Sequence, residues 1–462
     1  MTALETAPLA LAAFILMTWA LQLGLVVAAA VELCGVRRRD RHQLWRRVLS
    51  SPLAPTISVL VPAYNEERSV VETTAGMLAL NYPNLEVVLV NDGSTDRTID
   101  VLIERFELRP VQIAYRRVLA TAPVRAIYRS SREPHLVVVD KENGGKADAL
   151  NVALNVAAGS LVCSIDADTL VAPDALQELV WPFLSDPETI AVGGTVRPVN
   201  ESHVRFGRLI RPRVPRRLLT GVQLVEYMRA FLIGRLGWNA LGGNLVISGA
   251  FGLFRRPAVL EVGGYSDNSL GEDMELVVRL RRVWYERGRR ALIVFLPDPV
   301  AWTEAPESIR TLARQRNRWH RGLLGVLVRH RRMIGRPRYG TAGLLALPYF
   351  IVVEVLTPVV EVLGLPVVIA GLALGAFGGG SLLVLAVAYS LGFALSLLVL
   401  VLDEVVYRSY PGLGNRLLLV VYAAMEHLWY RPLTIAWRLW GLHLFLRGRS
   451  EWGEQVRRGF AA

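Results

Sequence analysis

The stretch VCSIDADTL (162–170) ends an apolar run with two carboxylates, Asp166 and Asp168, one residue apart. If the chain stays extended past the run, side chains at i and i+2 face one side, and both acids line a crevice while Ala167 turns away. Two hard oxygen ligands so placed suit Mg²⁺ or Mn²⁺, which bind through carboxylates and phosphate oxygens. The same triplet also fits a capping turn before Pro173. Further along, GED (271–273) sets Glu272 and Asp273 at the start of a helical pattern, EDMELVVRLRRVW. A carboxylate there can accept a proton as a general base, or simply complement the positive end of the helix. Lys146, in NGGKADALN (143–151), follows two glycines that permit a tight turn. On its own it reads as surface charge opening a helix. QRNRW (315–319) sets Trp319, a flat apolar ring with a polar N–H at its edge, among basic residues. The surrounding RQRNRWHRG also reads as an amphipathic stretch at a membrane surface.

These residues need a frame. ISVLVP (57–62), EVVLVND (86–92), HLVVVDK (135–141) and LVCSID (161–166) are short runs rich in β-branched residues and read as buried strands. Helical patterns separate them at 65–80, 94–106 and 146–157, and a fourth begins at Pro173. Strands alternating with helices imply an α/β unit with a mostly parallel sheet covered on both faces. Ligands bind such sheets at the carboxyl ends of the strands. The polar residues fall there: Tyr64 and Asn65, Asp92 and Gly93, Asp140 to Lys146, and Asp166 with Asp168. Residues 107–134 are basic and fit no motif; they read as a sheet extension or a surface loop.

The whole chain is unusually apolar and basic. It has 462 residues, 52% of them hydrophobic, and a formal net charge of +12; its mean hydropathy is +0.35. That combination suggests a membrane protein with basic flanks and speaks against a nucleic-acid partner, for which basic residues would interleave with aromatics on one compact domain. The two cysteines, Cys34 and Cys163, imply no disulfide framework. Residues 8–36 are long enough to span a bilayer, and the positive charge, RRRDRHQLWRR (37–47), follows them. This order predicts an uncleaved anchor with its N-terminus outside and the remainder entering the cytoplasm. Apolar density returns at 343–377, 381–402 and 417–430, where three to five further spans or partial spans are expected. Pro348, Pro358 and Pro366 are placed to kink or break them. Glu354 and Glu361 sit a heptad apart, on one helix face, and suit either interhelical hydrogen bonds or the lining of a polar conduit. The predicted division is a span at 1–36, a basic linker at 37–54, a catalytic block at 55–300, interface helices at 301–340, membrane helices at 341–446 and a basic cytoplasmic tail at 447–462.

Taken in order, VPAYNEE (61–67), VNDGSTD (90–96), NGGKADALN, DAD (166–168), SGAFGLFRR (248–256), GED and QRNRW resemble the processive family 2 glycosyltransferases. These include cellulose, hyaluronan, chitin-oligosaccharide and poly-N-acetylglucosamine synthases. The likeness covers nearly the whole chain and is strongest toward the poly-N-acetylglucosamine side. It implies a GT-A-like α/β domain between transmembrane helices, in a multi-pass cell-membrane protein. It further implies that Asp92 contacts the uridine beside the loop of Tyr64 and Glu66. This chain has Asn91 where the family usually has a first aspartate before Asp92 and Gly93. Lys146 and Asp166 would bind the nucleotide sugar, Asp166 and Asp168 the Mg²⁺ or Mn²⁺, and Asp273, beside Glu272, would be the base. Ser248, Gly249, Gln315, Arg318 and Trp319 would border the acceptor. The implied reaction moves sugar from a nucleotide-sugar donor, UDP-GlcNAc or UDP-glucose, to a growing polysaccharide with inversion. A lipid-linked acceptor taking a single sugar is the alternative, and an accessory export or regulatory subunit is a compatible partner.

Overall fold

The computed structural model describes residues 3–38, 51, 54–205, 207–373 and 379–448. Their contacts group the chain into two units. One, an α/β unit, holds Gly35–Arg213 and Asn244–Ala305; the other, a helical unit, holds Met1–Cys34, Val214–Gly243 and Pro306–Glu454. The block expected at 55–300 is therefore interrupted. Val214–Gly243 departs because its helix buries Val222, Leu224 and Val225 and presents Gly221 to the ring of Tyr422, where any Cβ would collide. Most of the basic segment 37–54 and of the tail 447–462 lies outside the described residues.

In chain order the elements are α1 (Ala3–Arg38), β1 (Ile57–Ala63), α2 (Val70–Leu78), β2 (Leu85–Asp92), α3 (Thr98–Phe106), β3 (Leu108–Pro110), β4 (Val124–Ser130) and β5 (Leu136–Lys141). There follow α4 (Lys146–Val156), β6 (Leu161–Ile165), β7 (Thr169–Val171), α5 (Ala175–Ser185), β8 (Thr189–Pro198) and the small pair β9 (His203–Arg205) and β10 (Arg208–Arg211). After α6 (Leu218–Arg229) come β11 (Phe251–Arg255), α7 (Glu272–Glu286), β12 (Leu292–Thr303) and α8 (Ile309–Arg329).

The α/β unit is built on a 10-stranded sheet in the order β3-β4-β5-β2-β1-β6-β11-β8-β12-β7. Strands β5, β2, β1 and β6 pair in parallel, which matches the sequence reading. The flanks do not: β4 is antiparallel to β5, and β11 is antiparallel to both β6 and β8, so the sheet is mixed. The parallel four have their carboxyl ends on one edge. Antiparallel β11 brings its amino end, preceded by Ser248 and Gly249, to that same edge, with Phe251 opposite Ile165. Segment 107–134 resolves into β3 and β4, which extend the sheet, and an intervening loop.

Helix α4 is buried at every position from Ala147 to Asn155. Its leucines and alanines pack into a core with Leu60, Val88, Val137, Leu276 and Leu280. Its polar residues are not stray, since a buried polar group without a partner is costly. The Asn155 side chain brackets the backbone of Leu119 at 2.9 and 3.0 Å, and that of Asn151 brackets Tyr265 at 2.7 and 2.9 Å. Several helices start later than their patterns suggest. Asn65 takes φ 55°, so α2 begins only at Val70; Asp96 accepts from the Thr98 N–H at 2.9 Å and starts α3 there. Pro173 precedes the N-cap Asp174 instead of occupying the first turn.

In the helical unit the path continues through α9 (Thr357–Ala373), α10 (Gly379–Val406), α11 (Leu413–Met425) and α12 (Arg431–Leu446). Among the described residues, Ala13–Gly35 and Ala342–Gly364 are long and apolar enough to cross a membrane; the stretches expected at 381–402 and 417–430 are helical. The prolines bend without breaking. The helix around Pro348 and Pro358 widens into π turns at Ala342–Ala346 and Phe350–Leu356, and Thr357 Oγ1 donates to the Val352 carbonyl at 3.1 Å. Glu354 pairs with Arg438 at 3.0 Å, and Glu361 pairs with Arg431. The arginines are themselves a heptad apart on α12, so these acids make charged contacts between helices.

Candidate active site

The carboxyl edge of the parallel strands gathers most of the residues singled out above. Lys146, the first residue of α4, reaches to Asp166 at the end of β6 (2.7 Å) and to Glu272 at the start of α7 (3.3 Å). It lines a small cavity with Ser248, Gly249, Tyr265, Glu272 and Asp273. Burial alone would lower the Lys146 pKa, but the charges of Asp166 and Glu272 outweigh it and hold the ammonium above the usual lysine range. Asp273 is fixed by two backbone donors: the Gly249 N–H at 2.9 Å and the Met274 N–H at 2.7 Å. Each oxygen keeps a further lone pair for another donor. Gly249 has a local reason, because a Cβ there would meet Asp273 Oδ2 at 3.2 Å and Lys146 Nζ at 3.4 Å.

One expectation changes here. The chain is not extended through 166–168. The Thr169 N–H donates to the Asp166 carbonyl at 3.0 Å and closes a tight turn, while Thr73 Oγ1 binds the Ala167 carbonyl at 2.7 Å. The two acids thus come from a turn: Asp166 is a fifth exposed and meets Lys146, and Asp168 is buried at 9%. Among the described residues no group of three or more His, Cys, Asp or Glu side chains could hold a metal. The carboxylates at the end of β6 are those of Asp166 and Asp168. That donor set fits a cation completed by donor phosphates, not a protein-only cage.

Asp92, at the end of β2, is enclosed by the chain. Its carboxylate is buried at 3% and already engaged. It accepts from Lys141 Nζ at 2.5 Å, from the Gly144 N–H at 3.0 Å and from the Gly145 N–H at 2.8 Å. Lys141 is fully buried and also pairs with Asp148 at 2.7 Å. This clasp ties the end of β2 to the glycine turn that delivers Lys146, so Asp92 shapes the site from beneath it. Glu66 is likewise buried, and its carboxylate accepts from Ser69 Oγ at 2.6 Å. Tyr64 is half exposed at the end of β1.

Sequence reasoning gave no individual role to Lys141, Asp148, Asn151 or Tyr265. Tyr265 is buried, which pushes its phenol up, and its hydroxyl bonds Ser164. The available signal was the glycine pair before it. Gly263 and Gly264 both have positive φ, and a Cβ on Gly264 would fall 2.3 Å from Asn151 Oδ1. Gln315, Arg318 and Trp319 are not part of this cluster's unit; they lie on α8 of the helical unit. There Trp319 is 43% exposed and lies 4.5 Å beneath the Arg316 guanidinium. Glu226 grips that guanidinium at 3.0 and 2.7 Å and accepts from the Tyr430 hydroxyl at 2.8 Å.

A carboxylate held by backbone donors, next to a lysine and strand-end acids, is a site for charge-assisted group transfer. The chain belongs to glycosyltransferase like family 2, whose profile matches residues 54–322. That profile takes in 54–322, so the family domain spans both the α/β unit and the start of the helical unit's α8. The chain is 31% identical over 276 residues to a poly-beta-1,6-N-acetyl-D-glucosamine synthase of Staphylococcus aureus, covering 59% of this chain and 56% of that one. It is 29% identical over 280 residues to the probable glycosyltransferase YdaM of Bacillus subtilis, covering 60% and 57%. The chain thus spans little more than half the length of these curated relatives. A mannosyltransferase from Pyrobaculum calidifontis, solved with GDP-Man and Mn²⁺, shares the fold with a TM-score of 0.53 and 21% identity, over 91% of this chain and 99% of that one.

Proposed function

We propose that the protein is a membrane-embedded, inverting synthase that adds sugar from UDP-GlcNAc or UDP-glucose to a growing β-linked polysaccharide. The observation that carries this reading is the cavity shared by Asp273, Gly249 and Lys146. The named relative that makes poly-β-1,6-N-acetyl-D-glucosamine favours UDP-GlcNAc as the donor to try first. Asp273 is the general base. Its two backbone donors leave lone pairs to accept the acceptor hydroxyl proton, and Glu272 stays beside it to hold Lys146. A single displacement then turns an α-linked donor into a β-linked product. Lys146 offsets charge as the diphosphate leaves. Asp166 and Asp168 would hold Mg²⁺ or Mn²⁺, which when bound supplies further positive charge to the leaving group. Tyr64, Glu66 and Asp92 shape the nucleotide side, Asp92 by holding the glycine turn. Ser248 and Gly249 border the acceptor. Trp319 offers the stacking face, with Gln315 and Arg318 on the same helix. The two long apolar helices and the basic flanks support a membrane position with the catalytic unit in the cytoplasm.

The test supplies UDP-GlcNAc, UDP-glucose, UDP-glucuronate and GDP-mannose separately to the detergent-purified protein with Mg²⁺ or Mn²⁺. Nucleotide release is followed and the product sized. Release from one donor with a long product supports the synthase and names its sugar. A single-sugar lipid product supports transfer to a lipid carrier. No loss of activity in EDTA removes the metal role of Asp166 and Asp168.

A further inference from the structure

The shorter of the two Lys146 ion pairs joins groups that the proposed reaction assigns to different partners. Asp166 is wanted by a divalent cation, yet Lys146 Nζ stands 2.7 Å from it, with Glu272 on its other side at 3.3 Å. A divalent ion on the Asp166 carboxylate would bring two more positive charges to the edge of the ammonium, and like charges at that range repel strongly where water is partly excluded. The backbone on both sides is tied by hydrogen bonds. Asp166 is closed into its turn by Thr169, and the residues before Lys146 are pinned by Asp92 through Gly144 and Gly145. The Lys146 side chain, a fifth exposed on a flexible stem, is the part free to move.

We propose that Lys146 is an internal counter-ion that competes with the divalent cation for the Asp166 carboxylate, so that the cation binds weakly until a diphosphate offers the ammonium another anion. This rests on the reading of Asp166 as a metal ligand. Donor and cation then strengthen each other's binding by the same factor, because the coupling is reciprocal. The arrangement keeps the enzyme from committing its carboxylate to a cation when no donor is present.

The test is a Mn²⁺ titration of the full chain in detergent, reading free Mn²⁺ by electron paramagnetic resonance, first without nucleotide and then with UDP. Lys146→Met should bind Mn²⁺ alone at least roughly tenfold more tightly than the unmodified protein, since one like charge is gone. Lys146→Gln should behave the same way and serves if the first variant folds poorly. Lys146→Arg keeps the charge and should stay weak. UDP should tighten Mn²⁺ binding less in the Met variant than in the unmodified protein. If Asp166→Asn loses Mn²⁺ while Lys146→Met binds it as weakly as before, the competition is overturned and the metal reading survives. If Asp166→Asn binds Mn²⁺ unchanged, the metal reading itself is wrong and the competition falls with it.

Discussion

Two lysines five residues apart each stand between two carboxylates. Lys141 lies between Asp92 and Asp148, and Lys146 between Asp166 and Glu272. The chemistry is the same and the surroundings are not. The Lys141 side chain has no exposure, and both its acids are buried and tied to backbone amides. Lys146 and Asp166 are each about a fifth exposed, and Lys146 and Glu272 border a cavity. The first trio is closed, and its charges are spent on holding a turn. The second has room for a further partner. Residue type therefore does not separate structural from chemical charge here; access does.

The contrast can be broken by substitution. Asp273→Asn should lower turnover by about 10²–10⁴-fold while nucleotide binding persists, as removal of a general base does. Turnover on each donor and calorimetric UDP binding check this, and near-normal turnover would show that the base lies elsewhere. Lys141→Met leaves two buried carboxylates unpaired and should cost about 3–5 kcal/mol of stability. Chemical denaturation in detergent reads that loss; a small change would mean the clasp is not closed.

His320 sharpens the contrast, because there a buried group gives up its charge. It is 5% exposed on α8. Burial first, then the charge of Arg438, lowers its pKa from 6.5 to about 4. The unfolded chain takes up the proton before the folded one, so stability is fully present above pH 6.5 and is lost as pH falls toward 4, by at most about 3 kcal/mol. His320→Gln should flatten that part of the pH–stability profile. The smallest effect is on the stability of Lys146→Met, expected below the roughly 3–5 kcal/mol of the closed trio because its ion pairs still reach solvent. A melt as low as that of Lys141→Met would erase the distinction between the two lysines.

Much of the frame was legible because fully buried parallel strands leave continuous β-branched runs. β1, β2, β5 and β6 sit within a residue or so of where those runs stand. Once they were parallel, Lys146 and Asp166 had to share an edge. What stayed hidden depends on pairings across long stretches of sequence. Nothing near Lys141 announces Asp92 or Asp148, and nothing near Tyr265 announces Asn151. The antiparallel entry of β11 is set by its neighbours, since a strand's own residues do not encode direction. The turn at 166–169 was missed because alternation was assumed past the last ladder bond. Val214–Gly243 looked like more of the catalytic block because its composition is ordinary; only its partners Tyr422 and Arg316 reveal where it belongs.

The Asp92 carboxylate has a consequence for product departure. The amino end of a helix after a glycine turn commonly cradles a phosphate, drawn by exposed amides and the helix field. At α4 the amides of Gly144 and Gly145 already hold an anion that belongs to the chain. In this structure that part of the attraction is met by the chain itself. In the proposed reaction, the grip on the diphosphate then rests on a mobile lysine and an exchangeable ion, both of which can let go. An enzyme that must expel a nucleoside diphosphate after every sugar is well served by a fixed field it has muted itself.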